Sequence, residues 1–536
     1  MAMEYTEEQL NSFDKTTLVQ LFLVQQAQLK DIDGKLQLLL EQVAVLNNHR
    51  FGRSSEKLDT ENQICFMEVD GDIVFFNEAE AVASLSGCDE DDAPPKPGTK
   101  KTKGKRAADI QNLPVIPIEH MMTEEELAAE FGKDGWYQLE DEVYNRYKFT
   151  PMKVEIEEHH VGVYKSKKDN HFKKAEHPGY LLRNSLVSPS LEAAVMNAKY
   201  VNAVPLYRQE QEFQRMGLNI DRADMAHWTI LCAERYLSIL YDYLHEKMYD
   251  YHVLQADETP VRVTRENRTD GSKHYMWVYR TGRMNTDKHI VLYDYQPSRN
   301  ASHPREFLKN FKGVCVTDGY QVYHTIEKER EDLIIASCWA HARRRFDEAV
   351  KAQPKGNQKN TLAYLALKQI QAIYREENKL EGMDLEQRLE HRSLTVKPLV
   401  DAYFAWVKQN LTKVPGKSKT ANGFNYSLNQ EKYLRYFLED GEVPMDNNAA
   451  EQSIRGFCIG KKNWVMIDTV AGAESSAIIY SLAETAKANS LKPYNYFEYL
   501  LTEIPKHMDD HDTIFCEDLL PWSDKLPAAC RKPIHK

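Results

Sequence analysis

Three carboxylates in the second half of the chain have the residue types and local contexts of a metal-ion site. Asp257 closes the run Tyr251-His-Val-Leu-Gln-Ala-Asp257. Asp318 closes Gly313-Val-Cys-Val-Thr-Asp318 and is followed by a glycine. Glu451 lies in Asp446-Asn-Asn-Ala-Ala-Glu451-Gln-Ser-Ile-Arg455. The first two end apolar, strand-like runs, and the third falls early in a helix-like run. Two strand-borne aspartates and then a helix-borne glutamate can build a site for two Mg2+ ions about 3.5–4 Å apart, which hold the attacking and leaving oxygens of an in-line phosphoryl displacement. Mg2+ takes hard oxygen ligands and keeps several waters, so three carboxylates from distant segments suffice. Mn2+ is the expected substitute. The substrate this chemistry points to is DNA.

The spacing needs help from context. The chain carries 81 acidic residues, so position alone does not single out these three. Glu258 and Asp294 are rival carboxylates, and Glu258 is expected to face away from Asp257 because successive strand residues alternate. Glu451 and Arg455 are four apart, the spacing of a helix ion pair. Alternatively Arg455, with Lys461 and Lys462, contacts phosphate near the cut site. Trp464 reads as core before it reads as a base-stacking platform. In Cys338-Trp-Ala-His341, the histidine could orient a phosphate or a strand end. A zinc role for Cys338 and His341 lacks two further ligands, so no zinc is expected.

Elements must position these groups. Strands are expected at 251–257, 274–281, 288–295, 313–318 and 332–339, with helices at 303–311, 320–328 and from Ala340. Three strands in a row, then strand, helix, strand, helix, fit an α/β fold of the multidomain α+β kind with a ribonuclease H-like mixed sheet. Glu451 follows Asp318 by 133 residues, and a polar helical insertion over 353–440 accounts for that gap. The expected core therefore runs 249–352 and 441–490, with a C-terminal extension at 491–536.

Ahead of the core, residues 188–248 read as helices. Ser188-Pro-Ser-Leu-Glu and Asp221-Arg-Ala-Asp open two of them with N-cap chemistry, and Gly217 stops a third. Two helices around a Gly-containing turn suit a helix-turn-helix, a DNA-binding module. A small strand-containing region is expected at 107–187, including Lys153-Val-Glu-Ile-Glu-Glu and His160-Val-Gly-Val-Tyr. Residues 58–106 form an acidic, then basic, linker. Lys96 to Arg106 has six basic residues and no acid, with Lys100, Lys101 and Lys103 at its centre. Residues 1–57 hold a heptad helix, in which Phe22, Gln25, Leu29, Ile32, Leu36, Leu39, Val43 and Leu46 alternate three and four apart. That seam predicts a coiled-coil homodimer or higher assembly.

Composition sets the class. Of 536 residues, 42% are hydrophobic and 28% charged, as in soluble globular chains. No run approaches the roughly 20 apolar residues of a membrane span, and the acidic start lacks a signal peptide's basic region. A cytoplasmic, nucleoid-associated protein is expected, with no membrane partner. The eight cysteines include no Cys-x-x-Cys pair, which indicates neither a disulfide framework nor a zinc ribbon. The net charge of −12 does not exclude DNA, because local patches set phosphate affinity. Arg343, Arg344 and Arg345 form one such patch, and Lys165 to Lys174 another.

Taken together, these blocks resemble the transposases of the insertion sequence 66 (IS66) family. The carriers are Arg50-Phe-Gly-Arg-Ser-Ser-Glu-Lys-Leu after the heptad helix, Val204-Pro-Leu-Tyr-Arg-Gln-Glu-Gln, Ala256-Asp-Glu-Thr-Pro-Val and Thr317-Asp-Gly-Tyr. They continue with Cys338-Trp-Ala-His-Ala-Arg-Arg-Arg-Phe, Asp446-Asn-Asn-Ala-Ala-Glu with Ile459-Gly-Lys-Lys-Asn-Trp, and Ser481-Leu-Ala-Glu-Thr-Ala-Lys. The resemblance implies a DDE transposase with Asp257, Asp318 and Glu451 as catalytic and metal-binding residues. It implies binding to terminal inverted repeats and target DNA, with 3′-end cleavage and strand transfer. It also implies small companion proteins from the same element. One departure is that the family's paired cysteines ahead of the helix-turn-helix are missing from Tyr164-Lys-Ser-Lys-Lys-Asp-Asn-His. A stand-alone nuclease and a non-catalytic DNA-binding or dimerising factor are the alternatives.

Overall fold

The computed structural model describes residues 179–533, except 266–272, 283, 285–287 and 354–357, together with short stretches between 15 and 176. The heptad seam and the basic linker, with Lys100, Lys101 and Lys103, lie outside the described residues apart from Phe22, which is helical and exposed. β1 (Phe66–Val69) and β2 (Asp72–Phe75) pair antiparallel.

Residues 90–180 form a unit of their own. It contains α1 (Glu124–Phe131), started by a capping box in which Thr123 and Glu126 bond reciprocally. It also contains the antiparallel pair β3 (Val163–Lys165) and β4 (Phe172–Lys174). Lys165, Lys173 and Lys174 are exposed on it. The strand expected over 153–158 does not form. Ile156 is 91% exposed, so the alternation there has no apolar surface to pack on. His159 and His160 lie exposed beside Glu157 and Glu158.

From residue 181 onward the larger unit opens with helices. They are α2 (Pro189–Met196), α3 (Leu206–Arg215), α4 (Arg222–Cys232) and α5 (Ser238–Met248). The expected caps are in place. Ser188 accepts from the Leu191 amide, and Asp221 accepts from the Asp224 amide. Gly217, at φ +84°, ends the turn after α3. The buried Glu192 accepts a hydrogen bond from Thr229 and so joins α2 to α4.

A five-stranded mixed sheet follows. Its strands are β5 (Val253–Val261), β6 (His274–Thr281), β7 (Val291–Gln296), β8 (Gly313–Thr317) and β9 (Leu333–Ser337), in the order β7-β6-β5-β8-β9. The first three are antiparallel neighbours. β8 then joins β5 in parallel, and β9 joins β8 in parallel. The crossovers carry α6 (Ser302–Phe307) and α7 (Gln321–Glu329). All five expected strands exist. The correction is that β5 runs four residues past Asp257, because its antiparallel ladder to β6 continues to Val261 opposite His274.

α8 (Trp339–Lys351) leaves β9. The expected insertion is helical. It holds α9 (Leu362–Asn378), α10 (Leu385–His391), α11 (Lys397–Asn410), α12 (Lys419–Asn429) and α13 (Glu431–Arg435). The chain returns through α14 (Asn448–Trp464), α15 (Val470–Ala488) and α16 (Pro493–Glu503). Alternation along the parallel strands divides the core. Val253, Val314, Val316 and Ala336 pack with α8 and the insertion, whereas Leu254, Cys315, Leu333 and Ile335 pack with the other buried cluster, to which α5, α15 and α16 contribute. Among the described residues no helix is long and apolar enough to cross a membrane.

Candidate active site

The parallel ladder ends just short of the first two carboxylates. Gln255 pairs with Val316, and β8 ends one residue later. Continuing that register by two residues brings Asp257 abreast of Asp318. Past Thr317, β5 has lost its β8 neighbour, so the backbone beside Asp257 is open on that side although the strand itself goes on. Asp318 turns the chain. Its Oδ1 accepts from the Tyr320 amide at 2.8 Å, and Gly319 takes φ +85°.

The third carboxylate arrives on α14, whose start is held by two contacts to β5 and one to Cys338 ahead of α8. Gln255 donates to the Asp446 carbonyl at 3.1 Å, Asn447 donates to the Ala256 carbonyl at 2.7 Å, and the Asn447 amide donates to Cys338 Sγ at 3.1 Å. Glu451 is then in the first turn of α14. It does not pair with Arg455 as the helix spacing suggested. Its Oε1 meets His341 Nε2 at 3.1 Å, and its Oε2 accepts from Arg344 Nη2 at 3.1 Å. His341 and Arg344 are three apart on α8, so one helix face presents both.

Charge around the three is unbalanced. Burial pushes the Asp257 carboxyl well above its ordinary range, and the charges of Glu258, Asp318 and Glu451 push it the same way. Burial would raise Glu451 too, but the His341 hydrogen bond and charge, with Arg344 and Arg455, outweigh it and the net shift is downward. A bound cation would offset the repulsion on a carboxylate crowded by three others in a partly buried setting. An all-oxygen donor set of this kind fits Mg2+.

The rival carboxylates are accounted for. Glu258 follows Asp257 on β5, and its side chain is only 2% exposed. Burial and the Asp318 charge raise it to about 7, against the pull of Arg299. Arg299 pairs with Glu258, lies 3.9 Å from Asp318, and stacks 3.7 Å from the Tyr320 ring centre. Asp294 lines a separate cleft with Tyr241 and Glu474 and accepts from Gln296. Burial raises its carboxyl to about 7.

The basic candidates divide. Arg343, Arg344, Arg455 and Lys462 are exposed. Lys461 donates to the Pro260 carbonyl at 2.6 Å, so it ties α14 to the end of β5. Arg345 stacks 4.2 Å from the Tyr426 ring centre, and Tyr426 donates to the Asp318 carbonyl at 2.9 Å. Trp464 packs edge-on to Phe457 in the core. Sequence reasoning missed Arg299, Gln255 and Tyr426. Arg299 is a loop residue with no pattern around it. Asn447 sits inside a quoted block, yet its buried role shows only in the fold. Cys338, His341 and Glu451 place one sulfur, one ring nitrogen and one oxygen within 4.8 Å of one another. Asp257 and Asp318 lie outside that group.

Comparison with known proteins follows the same outline. Residues 184–475 match the model of the Transposase IS66 family, and residues 481–522 match that of the IS66 C-terminal element. Residues 38–118 match a model described as Transposase C of IS166 homeodomain. The chain is similar to the uncharacterized protein y4qI of Sinorhizobium fredii, with 30% identity over 361 residues, 66% of this chain and 65% of the relative. It is also similar to the uncharacterized proteins y4hP and y4jD of the same organism. Their identities are 25% and 27%, over 66% and 67% of this chain and 65% and 70% of theirs. Over the first two relatives, the matched stretch spans less than two thirds of their length.

Proposed function

The chain belongs to the IS66 transposase family, and from that premise we propose that it is a DDE transposase that cuts an insertion sequence at its 3′ ends and joins those ends to target DNA. The observation that supports this reading is the parallel pairing of Gln255 with Val316, each two residues before an aspartate of the proposed site, with α14 held to the same strand by Asn447. The strand order and orientations, with an insertion before the glutamate helix, support a ribonuclease H-like core.

Asp257, Asp318 and Glu451 would hold two Mg2+ ions, which supply charge neutralisation at the phosphate and a lowered pKa for the attacking water. The chain's own residues do the rest. His341 and Arg344 hold the two Glu451 oxygens toward α8. Arg299 braces Asp318 against the buried Glu258. The exposed Arg343, Arg455 and Lys462 would meet backbone phosphates, which position DNA without reading its sequence. The freed 3′-hydroxyl attacks target DNA directly, with no protein–DNA bond. The α3–turn–α4 segment is the helix-turn-helix that would bind the terminal repeats. Its Arg208, Arg215, Arg222 and His227 are exposed. Self-association through the heptad helix and help from companion proteins complete the reading.

The test begins by reading the DNA that flanks the gene for inverted repeats, which this reading expects. Full-length protein with Mg2+ and DNA carrying those ends should both cut and join. Asp257→Asn, Asp318→Asn and Glu451→Gln should bind the ends and do neither. Strand transfer by any of the three refutes the assignment, and cutting without joining makes the protein a nuclease.

A further inference from the structure

The cluster at the start of α8 joins three different donor chemistries. Cys338 is the N-cap residue of α8 and is fully buried. Its sulfur accepts the Asn447 amide at 3.1 Å, and the Ala340 amide also favours its anionic form. Amide donors at a helix N-terminus stabilise a thiolate, yet burial pushes this thiol up. His341 Nε2 and Glu451 Oε1, 3.1 Å apart, complete a set of three donors that all lie within 4.8 Å. Bonds of about 2.0–2.3 Å to a tetrahedral ion put neighbouring ligand atoms about 3.3–3.6 Å apart. The observed His341–Glu451 separation is already close to that edge length. The sequence alone offered only two of these ligands; the fold brings Glu451 to them.

We propose that Cys338, His341 and Glu451 form a site for a borderline-soft divalent cation, with Zn2+ as the physiological ion and water in the fourth position. Sulfur and imidazole exclude Mg2+ from this set and favour Zn2+. On binding, the Cys338 thiol releases its proton to solvent, the neutral His341 ring exchanges its Nε2 proton through solvent for one on Nδ1, and the His341–Glu451 hydrogen bond is replaced by two bonds to the ion. The ion clips the N-terminus of α8 to the first turn of α14. The site shares Glu451 with the phosphoryl-transfer reading but does not depend on it, because it forms without DNA or Mg2+.

Cadmium is the probe. Metal-stripped full-length protein is titrated with Cd2+ while the thiolate-to-cadmium charge-transfer absorption is followed. Wild type should show one equivalent of binding that Cys338→Ser lacks. His341→Asn should weaken that equivalent at least about tenfold, the lower end of what even an outer-shell partner contributes. Circular dichroism melts report whether each variant folds. If Cys338→Ser does not fold, the partly exposed His341 decides the matter: tenfold weaker binding supports the site, and unchanged binding overturns it. A wild type without the band, or a folded Cys338→Ser protein with the full band, also overturns it. Mg2+ gives no such band, so failure here leaves the transposase reading untouched, and an inactive protein that keeps the band leaves this one standing.

Discussion

The side chain of Asn447 donates to the carbonyl of Ala256 at 2.7 Å, which fastens the residue before Asp257 to the residue that opens the glutamate helix. Asn447 is fully buried, and its own amide is spent on Cys338. One residue therefore fixes the distance between two of the proposed metal ligands. Asn447→Ala leaves a buried carbonyl unpaired, at a cost of about 1–3 kcal/mol. Cleavage is expected to fall more than stability does, by about tenfold or more at 1.4 kcal/mol per tenfold. Calorimetry and a cleavage assay on one preparation check this. Equal losses in both would reduce Asn447 to a stabilising residue.

Arg299 is the second test. Removing it strands Glu258, whose side chain is 2% exposed, while the guanidinium is 36% exposed. Breaking a buried pair costs about 3–5 kcal/mol, and solvent at the open guanidinium brings the expectation for Arg299→Ala down to about 2 kcal/mol. The double variant Arg299→Ala/Glu258→Gln should recover most of that stability. It should not recover cleavage, because Asp318 still lacks its neighbour 3.9 Å away. Recovery of both by the double variant would remove Arg299 from the site.

How far the sequence reached follows from which forces act locally. Strand periods, N-caps and the stop at Gly217 depend on a few neighbouring residues, and they were legible. The end of β5 was not. Asp-Glu-Thr-Pro after Ala256 reads as a break, yet β6 carries the strand to Val261. Pro260 is tolerated there because β8 has already ended and no ladder needs its missing N–H. The Glu451–Arg455 pair obeyed helix spacing, but α8 offered two better partners from 107 and 110 residues away. The Lys153–Glu158 alternation had the period of a strand and no sheet to join. Arg299, on a loop, acts only through what the fold brings to it.

The pH dependence of stability gives a test away from the site. Glu192 is fully buried, and burial raises its carboxyl to about 8, with Thr229 and Lys199 opposing. The folded chain thus holds a proton there that the unfolded chain gives up near 4.5. Between those values the folded state binds more protons, so stability falls as pH rises, and the loss is complete above about 8. Glu192→Gln keeps the neutral shape and removes the titration. Denaturation midpoints for the variant and wild type should agree near pH 4 and separate as pH rises, with the variant the more stable at pH 8. Parallel curves across that range would show that Glu192 carries no such proton.

Gly319 follows Asp318 at φ +85°, and a Cβ there would come within 2.9 Å of the Tyr426 hydroxyl. That hydroxyl is the one that donates to the Asp318 carbonyl at 2.9 Å. Gly319→Ala meets two separate penalties, about 1–2 kcal/mol for the left-handed backbone and a push against Tyr426. The push acts on the residue that steadies Asp318, so the carboxylate moves with it. A shift of about 1 Å in a reacting group can cost about a hundredfold in rate. Gly319→Ala should therefore lose cleavage on that scale while end binding holds. Tyr426→Phe removes the hydroxyl at a cost of about 1 kcal/mol, and in the double variant it relieves the clash but not the backbone penalty. If the double variant cleaves better than Gly319→Ala alone, the Tyr426 contact positions Asp318. If the two cleave alike, the backbone turn at Gly319 does so by itself.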